Sequence, residues 1–213
     1  MSKPLLLGHR GARASRHIPE NSLESFALCL EHGCDGFEFD VRRSADGVAV
    51  ICHDPVIRGL QIENTSASAL ELPTLEETLA EFFSRAFLDI ELKVTGLEIP
   101  LIAALRKHPL RKSYVVSSFL PEALSAIHAI EPAIPLGFLW DDERGADSLE
   151  SREAWLIPRF DLVDQKLIEQ AHGAGAKVMT WTVNRIEHMR QLKDWGVDAI
   201  ISDNTELLVR TFG

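Results

Sequence analysis

Cysteine is scarce in this chain of 213 residues, which carries three copies, Cys29, Cys34 and Cys52. The count is odd and no CxxC spacing occurs, so the sequence predicts neither a disulfide framework nor a structural zinc site. All three thiols lie in apolar helix-like or strand-like segments, which is typical of buried and unreactive cysteines.

Long hydrophobic runs are missing as well. No apolar stretch approaches the roughly 18 residues of a membrane-spanning helix. The chain starts with one lysine followed by Pro-Leu-Leu-Leu, which does not fit a signal peptide. We therefore expect a cytoplasmic protein without stable membrane insertion.

Positive charge is in short supply, with 22 Lys and Arg against 32 Asp and Glu and a net charge of −10. This balance disfavours broad binding to nucleic acid or to anionic membranes, which needs a basic surface. An anionic substrate is still compatible with this net charge, because a bound cation and a few local basic side chains can reverse the electrostatic potential inside one pocket. The expected partner is a small molecule, and the oligomeric state stays open.

Strand-like and helix-like segments alternate along the chain, with no internal repeat, low-complexity run or linker. Eight strands, each followed by a helix, predict a single α/β domain over residues 1–213, a closed (β/α)₈ TIM barrel rather than an open sheet. The predicted strands cover 5–9, 36–41, 87–93, 114–118, 135–139, 161–163, 177–183 and 198–202. The predicted helices cover 21–33, 74–84, 97–107, 121–130, 146–154, 165–174, 185–195 and 204–211. The stretch AWLIP within 141–160 fits a strand, a helix edge or a loop.

Two helix starts carry capping residues. Asn21, followed three residues later by Glu24, predicts the N-cap of the first helix. Pro73-Thr74 followed by Glu76-Glu77 predicts another helix start.

A β-hairpin extension is expected after the second strand. Residues 36–53, GFEFDVRRSADGVAVICH, contain two alternating runs joined by the turn signal Ala45-Asp46-Gly47. The second run, 48–53, is predicted to fold back on the first. With Ala45 and Asp46 at the tip, residues 38 and 53 would face each other, which places a histidine beside the acids of the first run.

Three acids occupy equivalent positions on predicted strands. Glu38 and Asp40 are two apart, so their side chains leave the same face of one strand, and Glu91 lies on a later strand. Unpaired charges are costly to bury, and carboxylate oxygens suit hard cations. The sequence therefore predicts one divalent cation, Mg²⁺ or Ca²⁺, with Mn²⁺ as a further option. The competing interpretation is ordinary salt-bridge partners at the barrel mouth, and two histidines at matching strand ends weigh against it.

The remaining candidates line the same predicted mouth. His9 and His53 can carry a proton near neutral pH. The guanidinium of Arg10 can donate a forked hydrogen bond to a phosphate oxygen. Lys93 can offer a point charge to phosphate or balance the neighbouring acid. Trp181 can wall the pocket or pack in the barrel. No catalytic role is assigned to His17, His32, His108, His128, His172 and His188.

Taken together, the motifs resemble those of glycerophosphodiester phosphodiesterases, in the same order and over nearly the whole chain. They are HRG at 9–11, PEN at 19–21, EFD at 38–40, HD at 53–54, PTLEE at 73–77, ELK at 91–93, SSF at 117–119, WTVN at 181–184 and GVDAIISD at 196–203.

The resemblance implies a TIM-barrel phosphodiesterase that cleaves glycerophosphodiesters to sn-glycerol 3-phosphate and an alcohol. The roles it implies are metal ligation by Glu38, Asp40 and Glu91, acid–base catalysis by His9 and His53, and phosphate contacts from Arg10 and Lys93. Related enzymes are understood to use the glycerol hydroxyl of the substrate as the first nucleophile. No Ser or Cys nucleophile is evident beside a base in this sequence, which is compatible with that route.

Two positions depart from the family pattern. Family members usually carry a sizeable insertion after the HD dipeptide, often with an R-T-T stretch. Here only 18 residues separate Asp54 from Pro73, and Arg58-Gly59-Leu60 replaces that stretch. Asp203-Asn204-Thr205 also lacks the proline that often follows. The shortened insertion should alter the outer rim of the pocket.

Other functions stay open at this point. The same site could act on lysophospholipids, as a lysophospholipase D-type enzyme, or on other phosphodiesters. A noncatalytic phosphometabolite-binding barrel or a pseudoenzyme is disfavoured by the intact set of histidines and carboxylates. A sugar-phosphate isomerase has less need of three acids around one cation.

Overall fold

The computed structural model of the chain describes residues 3–109, 112–142 and 154–213. Its strands are β1 (Leu5–His9), β2 (Gly36–Arg43), β3 (Ala49–Ile51), β4 (Val56–Ile57), β5 (Leu60–Gln61), β6 (Phe87–Leu92), β7 (Tyr114–Ser118), β8 (Leu136–Trp140), β9 (Trp155–Pro158), β10 (Lys177–Thr180) and β11 (Ala199–Ser202). Its α-helices are α1 (Leu23–Glu31), α2 (Ala67–Leu70), α3 (Leu75–Phe82), α4 (Glu98–Lys107), α5 (Pro121–Ile130), α6 (Gln165–Gly173), α7 (Ile186–Trp195) and α8 (Thr205–Phe212).

Eight of these strands form a closed parallel barrel. Their order is β1-β11-β10-β9-β8-β7-β6-β2, and β2 pairs back onto β1. Every pairing around the ring is parallel. The predicted (β/α)₈ TIM barrel is therefore confirmed.

Alternation along the strands divides the apolar residues into two layers. Leu7, Phe87, Val115 and Met179 belong to a cluster that fills the barrel interior. Their neighbours on the opposite strand face, such as Phe37, pack outward against the helices. Because both faces are buried, the strands are apolar almost throughout, as expected of a parallel sheet.

The sixth barrel strand differs from the prediction. The strand predicted at 161–163 is wrong, because Phe160–Leu162 forms a 3-10 helix and β9 occupies Trp155–Pro158 instead. In β9, Trp155 and Ile157 face the barrel interior while Leu156 packs outward, so the run is buried on both sides. The predicted helix over 146–154 falls almost entirely outside the described residues.

The chain after β2 returns as an antiparallel partner strand. Val41 pairs with Ile51 and Arg43 with Ala49, which is one position further along β3 than predicted. The predicted register, with residues 38 and 53 opposite each other, is therefore wrong. The loop has three residues rather than two, since Ser44 and Val48 are bonded across it and Gly47 takes φ +82° at its end.

The polar helix start at residue 74 forms as predicted. Thr74 caps α3, and its side chain and that of Glu77 satisfy each other's backbone N–H groups in a capping box. For α1, however, the N-cap is Ser22, whose hydroxyl accepts from the Ser25 N–H at 3.1 Å. The N-cap prediction for Asn21 is wrong, and this residue serves the site described below.

None of the described helices combines the length and the apolar content that a membrane crossing requires.

Candidate active site

A cavity of about 240 Å³ opens at the C-terminal ends of the barrel strands. Its polar wall holds six of the predicted site residues, namely His9, Arg10, Glu38, His53, Glu91 and Lys93. Trp181 belongs to the apolar part of the cavity lining. The eighth, Asp40, is buried beside Glu38 and Glu91. The barrel thus brings all eight predicted residues together.

Strand register creates the cluster of acids. Asp40 on β2 is the direct neighbour of Glu91 on β6, and Glu38 lies two residues earlier on the same face of β2. One oxygen from each of the three carboxylates lies within 4.8 Å of the others. All three residues are at least nine-tenths buried. These positions let three ligands reach one point.

The acid cluster fits a divalent cation. Glu38 Oε1 and Asp40 Oδ1 are buried and have no hydrogen-bond partner among the described residues. Buried carboxylate oxygens are rarely left in this state unless an ion or water completes them. An all-oxygen donor set with room for further ligands is what Mg²⁺ or Ca²⁺ prefers.

Burial and mutual repulsion raise the pKa values of two of these acids. Burial, together with the charge of Asp40, raises the pKa of Glu91 to about 7, although Lys93 opposes the shift. The same two causes raise the pKa of Glu38 well above its usual range. A bound cation would favour the ionised form of both groups.

A fourth acid lies deeper in the barrel and was missed from the sequence. Asp89 is fully buried, and burial raises its pKa to about 8. Ser117 donates a hydrogen bond of 2.5 Å to Asp89 Oδ1. The available signal was its position, since Asp89 precedes Glu91 by two residues and so shares its strand face.

The two basic residues of the cavity already pair with the acids. Arg10 Nε lies 3.1 Å from Asp40 Oδ2, and Lys93 Nζ lies 2.5 Å from Glu91 Oε1 and 3.4 Å from Asp40 Oδ1. Burial alone would lower the pKa of both cations, but the carboxylates outweigh it and raise both pKa values. Arg10 and Lys93 therefore stay charged at the cavity wall.

Each predicted histidine is held by a carboxylate at Nδ1. The distance from His9 Nδ1 to Asp203 Oδ1 is 2.7 Å, and that from His53 Nδ1 to Asp54 Oδ1 is also 2.7 Å. An ionised carboxylate can only accept, so Nδ1 carries the proton in both neutral rings. Nε2 is then the atom of each ring that can exchange a proton with a ligand. His9 Nε2 lies 3.9 Å from Glu38 Oε2.

Asp203 is itself clamped in place. Burial alone would raise its pKa, but hydrogen bonds from His9, Asn184 and Arg13 hold that pKa well below its usual range. Asn184 Nδ2 donates to Asp203 Oδ2 at 2.6 Å, and Asn184 Oδ1 accepts from the Asp203 N–H at 3.0 Å. The sequence placed Asp203 at a strand end but gave no sign of this contact, which spans 194 residues.

Asn21 holds a carboxylate of the acid cluster rather than a helix end. Its side-chain amide donates to Asp40 Oδ2 at 2.8 Å, and its side-chain oxygen accepts from the Asp40 N–H at 3.4 Å. The residue adopts a left-handed conformation with φ +56°, which asparagine tolerates better than most residues. The sequence signal for this role of Asn21 was the PEN motif at 19–21.

The apolar wall is built around Trp181. Its indole Nε1 donates to the Ile157 carbonyl at 3.1 Å, and its ring meets Phe119 edge-on with centroids 5.5 Å apart. Trp181 therefore packs in the barrel and also lines the cavity, so the two interpretations left open by the sequence both apply.

Comparison with known proteins agrees with this geometry. The model of the glycerophosphoryl diester phosphodiesterase family matches residues 9–91 and 90–207. A glycerophosphodiester phosphodiesterase of Caldanaerobacter subterraneus subsp. tengcongensis is 28% identical over 97% of each chain. Another from Bacillus subtilis is 26% identical over 95% of this chain and 84% of its own.

Solved structures show the same relationship. A phosphodiesterase of Oleispira antarctica, in complex with the product sn-glycerol-3-phosphate, superposes with a TM-score of 0.86 at 27% identity, covering 98% of this chain and 96% of its own. A glycerophosphodiester phosphodiesterase of Thermotoga maritima gives a TM-score of 0.82 at 26% identity, covering 99% of each chain. The family model spans nearly the whole sequence, and the chain belongs to the glycerophosphoryl diester phosphodiesterase family.

Proposed function

We propose that this protein hydrolyses glycerophosphodiesters to sn-glycerol 3-phosphate and an alcohol in the cavity at the barrel mouth. The observation that carries the proposal is the meeting of two carboxylate-held histidines with a cluster of three buried acids, two of which line the same cavity. The product complex of the Oleispira relative supports the substrate class.

Glu38, Asp40 and Glu91 would hold one divalent cation, Mg²⁺ or Ca²⁺, with Mn²⁺ as a further option. When bound, such a cation polarises phosphate oxygens and neutralises the charge that develops during cleavage. Glu38 Oε1 and Asp40 Oδ1, which accept no hydrogen bond from the described residues, are the donors that this role requires.

Arg10 and Lys93 would orient the phosphate. Both are charged and line the cavity. Lys93 pairs with Glu91 and Asp40, two of the acids that a cation would neutralise. Arg10 pairs with Asp40 and also, through Nη1, with Glu20 at 2.7 Å. Lys93 Nζ also lies 5.6 Å from the centre of the Phe119 ring, which helps to hold the ammonium at the wall.

His9 and His53 would move the protons. One Nε2 takes the proton of the attacking hydroxyl while the other Nε2 donates a proton to the leaving alcohol oxygen. Asp203 and Asp54 keep each ring in the tautomer with hydrogen on Nδ1. The two rings differ in shelter, since the side chain of His9 is 12% exposed and that of His53 is 35% exposed.

The size of the cavity bears on the lysophospholipid alternative. At about 240 Å³, the cavity is smaller than the roughly 300–1,000 Å³ of pockets that hold drug-sized ligands. It suits a glycerol phosphate with a short alcohol, whereas an acyl chain would have to lie outside it. Lysophosphatidylcholine therefore belongs in the substrate panel as the competing substrate.

Removing either histidine should abolish most of the activity. We expect His9→Ala and His53→Ala each to lower kcat for glycerophosphocholine by roughly 10²–10⁴-fold, the usual contribution of a general acid or base. His172→Ala is the matched control, because His172 also pairs with a carboxylate, Asp198, at 2.8 Å but on the outside of the barrel. Near-wild-type turnover in both variants, with folding checked by circular dichroism, would contradict the assignment.

Asp203→Asn should lower kcat and leave KM nearly unchanged. An asparagine amide can donate to His9 Nδ1 and so favours the wrong tautomer, a change that costs up to about 10⁴-fold in kcat where it has been isolated. Asp198→Asn removes the carboxylate of the external His–Asp pair and is expected to leave kcat intact. A loss shared equally by both variants, or one confined to KM, would count against a positioning role for Asp203.

The metal-free protein should lose stability as the pH rises. The pKa of Glu91 is raised from 4.5 to about 7, so its stabilising contribution is present at low pH and is lost as the pH rises through about 7. We expect Tm after EDTA treatment to be lower at about pH 8.5 than at about pH 6, with Ca²⁺ or Mg²⁺ restoring it most strongly at the higher pH.

Glu91→Gln is the control for this titration, because its side chain cannot ionise. Its Tm should vary less with pH and respond less to the cation. A wild-type Tm that ignores the cation at about pH 8.5 would contradict the metal site.

A further inference from the structure

The two histidines of the cavity are anchored differently. His9 ends the barrel strand β1, and the carboxylate on its ring belongs to Asp203, which follows the neighbouring barrel strand β11. His53 lies outside the barrel strands, two residues after the end of β3, and the adjacent residue Asp54 holds its ring. This carboxylate fixes the tautomer of His53 but belongs to the same segment, so it cannot fix the ring relative to the barrel.

The backbone pairing between β2 and the returning chain stops just before His53. Its last bond before the bend runs from the Cys52 N–H to the Asp40 carbonyl at 3.0 Å. The chain then bends away from β2 over residues 53–55. The position of His53 therefore needs a contact other than the backbone ladder.

A side-chain donor supplies this contact. Arg42 Nε donates to the His53 carbonyl at 2.7 Å, between residues that are 11 apart in the chain. Arg42 lies on β2 two residues after Asp40, so the strand that carries two acids of the cluster also holds the backbone of His53. Hydrogen bonds from a charged donor are among the stronger ones in proteins, and Arg42 is half-buried, which limits screening by salt.

Arg42 acts on the ring partner of His53 as well. The hydrogen bond from His53 is the main cause that lowers the pKa of Asp54, and the charge of Arg42 adds to this shift. The described lining of the active-site cavity does not include Arg42, which borders a separate hollow beside Arg43. Any effect of Arg42 on the reaction therefore has to pass through another residue, and its hydrogen bond leads to His53.

We propose that Arg42 is a positioning residue that holds His53 at a fixed place relative to the acid cluster. This inference rests on the proposed function. Because β2 carries both Arg42 and two of the acids, the bond to the His53 carbonyl ties the histidine to the strand on which the phosphate would bind. A misplacement of about 1 Å can cost about 10²-fold in rate, so loss of this bond should lower kcat.

Arg42→Met tests the hydrogen bond, because methionine keeps much of the aliphatic stem and removes the donor. We expect kcat for glycerophosphocholine to fall by about 10- to 100-fold. KM and the affinity for Mn²⁺ should stay within about twofold, because the acids and the phosphate contacts are left in place. Arg43→Met is the matched control, since it removes the same charge from the next residue, which is exposed, and it should leave kcat unchanged.

A double-mutant cycle separates positioning from a general loss of structure. In the His53→Ala background, Arg42→Met should lower kcat by less than about twofold, because the group that Arg42 positions is gone. If Arg42→Met fails to fold, Arg42→Lys takes its place in the same cycle. Lysine keeps the charge and moves the donor to the end of the side chain, and the expected fall in kcat is about three- to tenfold.

Three results would overturn the positioning role while the proposed function stands. They are a kcat near that of the wild type in the Arg42 variant, an equal fall in Arg43→Met, and a further fall of full size in the His53→Ala background. If the wild type does not turn over glycerophosphocholine with Mg²⁺, Mn²⁺ or Ca²⁺, the proposed function fails and the positioning role fails with it.

Discussion

Three carboxylates buried within 4.8 Å of one another are the constraint on which the rest of the site depends. Alone, they would repel each other and lose their hydration. Arg10 and Lys93 supply two positive charges, yet Glu38 Oε1 and Asp40 Oδ1 still have no hydrogen-bond partner among the described residues. On the proposed function, a divalent cation supplies what is missing, so the site is incomplete without its occupant.

The location and most of the content of this site could be predicted from the sequence. A strand alternates its side chains with a period of two, so the spacing of Glu38 and Asp40 was enough to place both on one face. A parallel barrel brings the C-terminal strand ends to one mouth, which joined Glu91 and His9 to them. His53 reached the cavity even though the predicted hairpin register was wrong by one residue, because the proximity of the two strands needs no exact pairing.

The contacts that hold the site residues in place could not be predicted. They depend on side-chain directions and on the pairing of the last barrel strand with the first. Asp203 meets His9 only because the last barrel strand closes against the first. Asn21 looked like a helix cap from its neighbours, and its left-handed backbone turns the amide towards Asp40 instead. The true sixth strand at Trp155–Pro158 lacked an alternating pattern, since both of its faces are buried. A short run of this kind gives no periodic signal that separates a strand from a helix.

Locating the cation tests the central claim most directly. Crystals grown with Mn²⁺ should show one strong anomalous difference peak bounded by Glu38, Asp40 and Glu91, at about 2.0–2.6 Å from one oxygen of each, the range of Mg²⁺ and Ca²⁺ ligand distances. The neighbouring Nε2 atoms of His9 and His53 should face the same cavity. Mn²⁺ bound elsewhere, or no Mn²⁺ bound at these carboxylates at saturating concentration, would contradict the account.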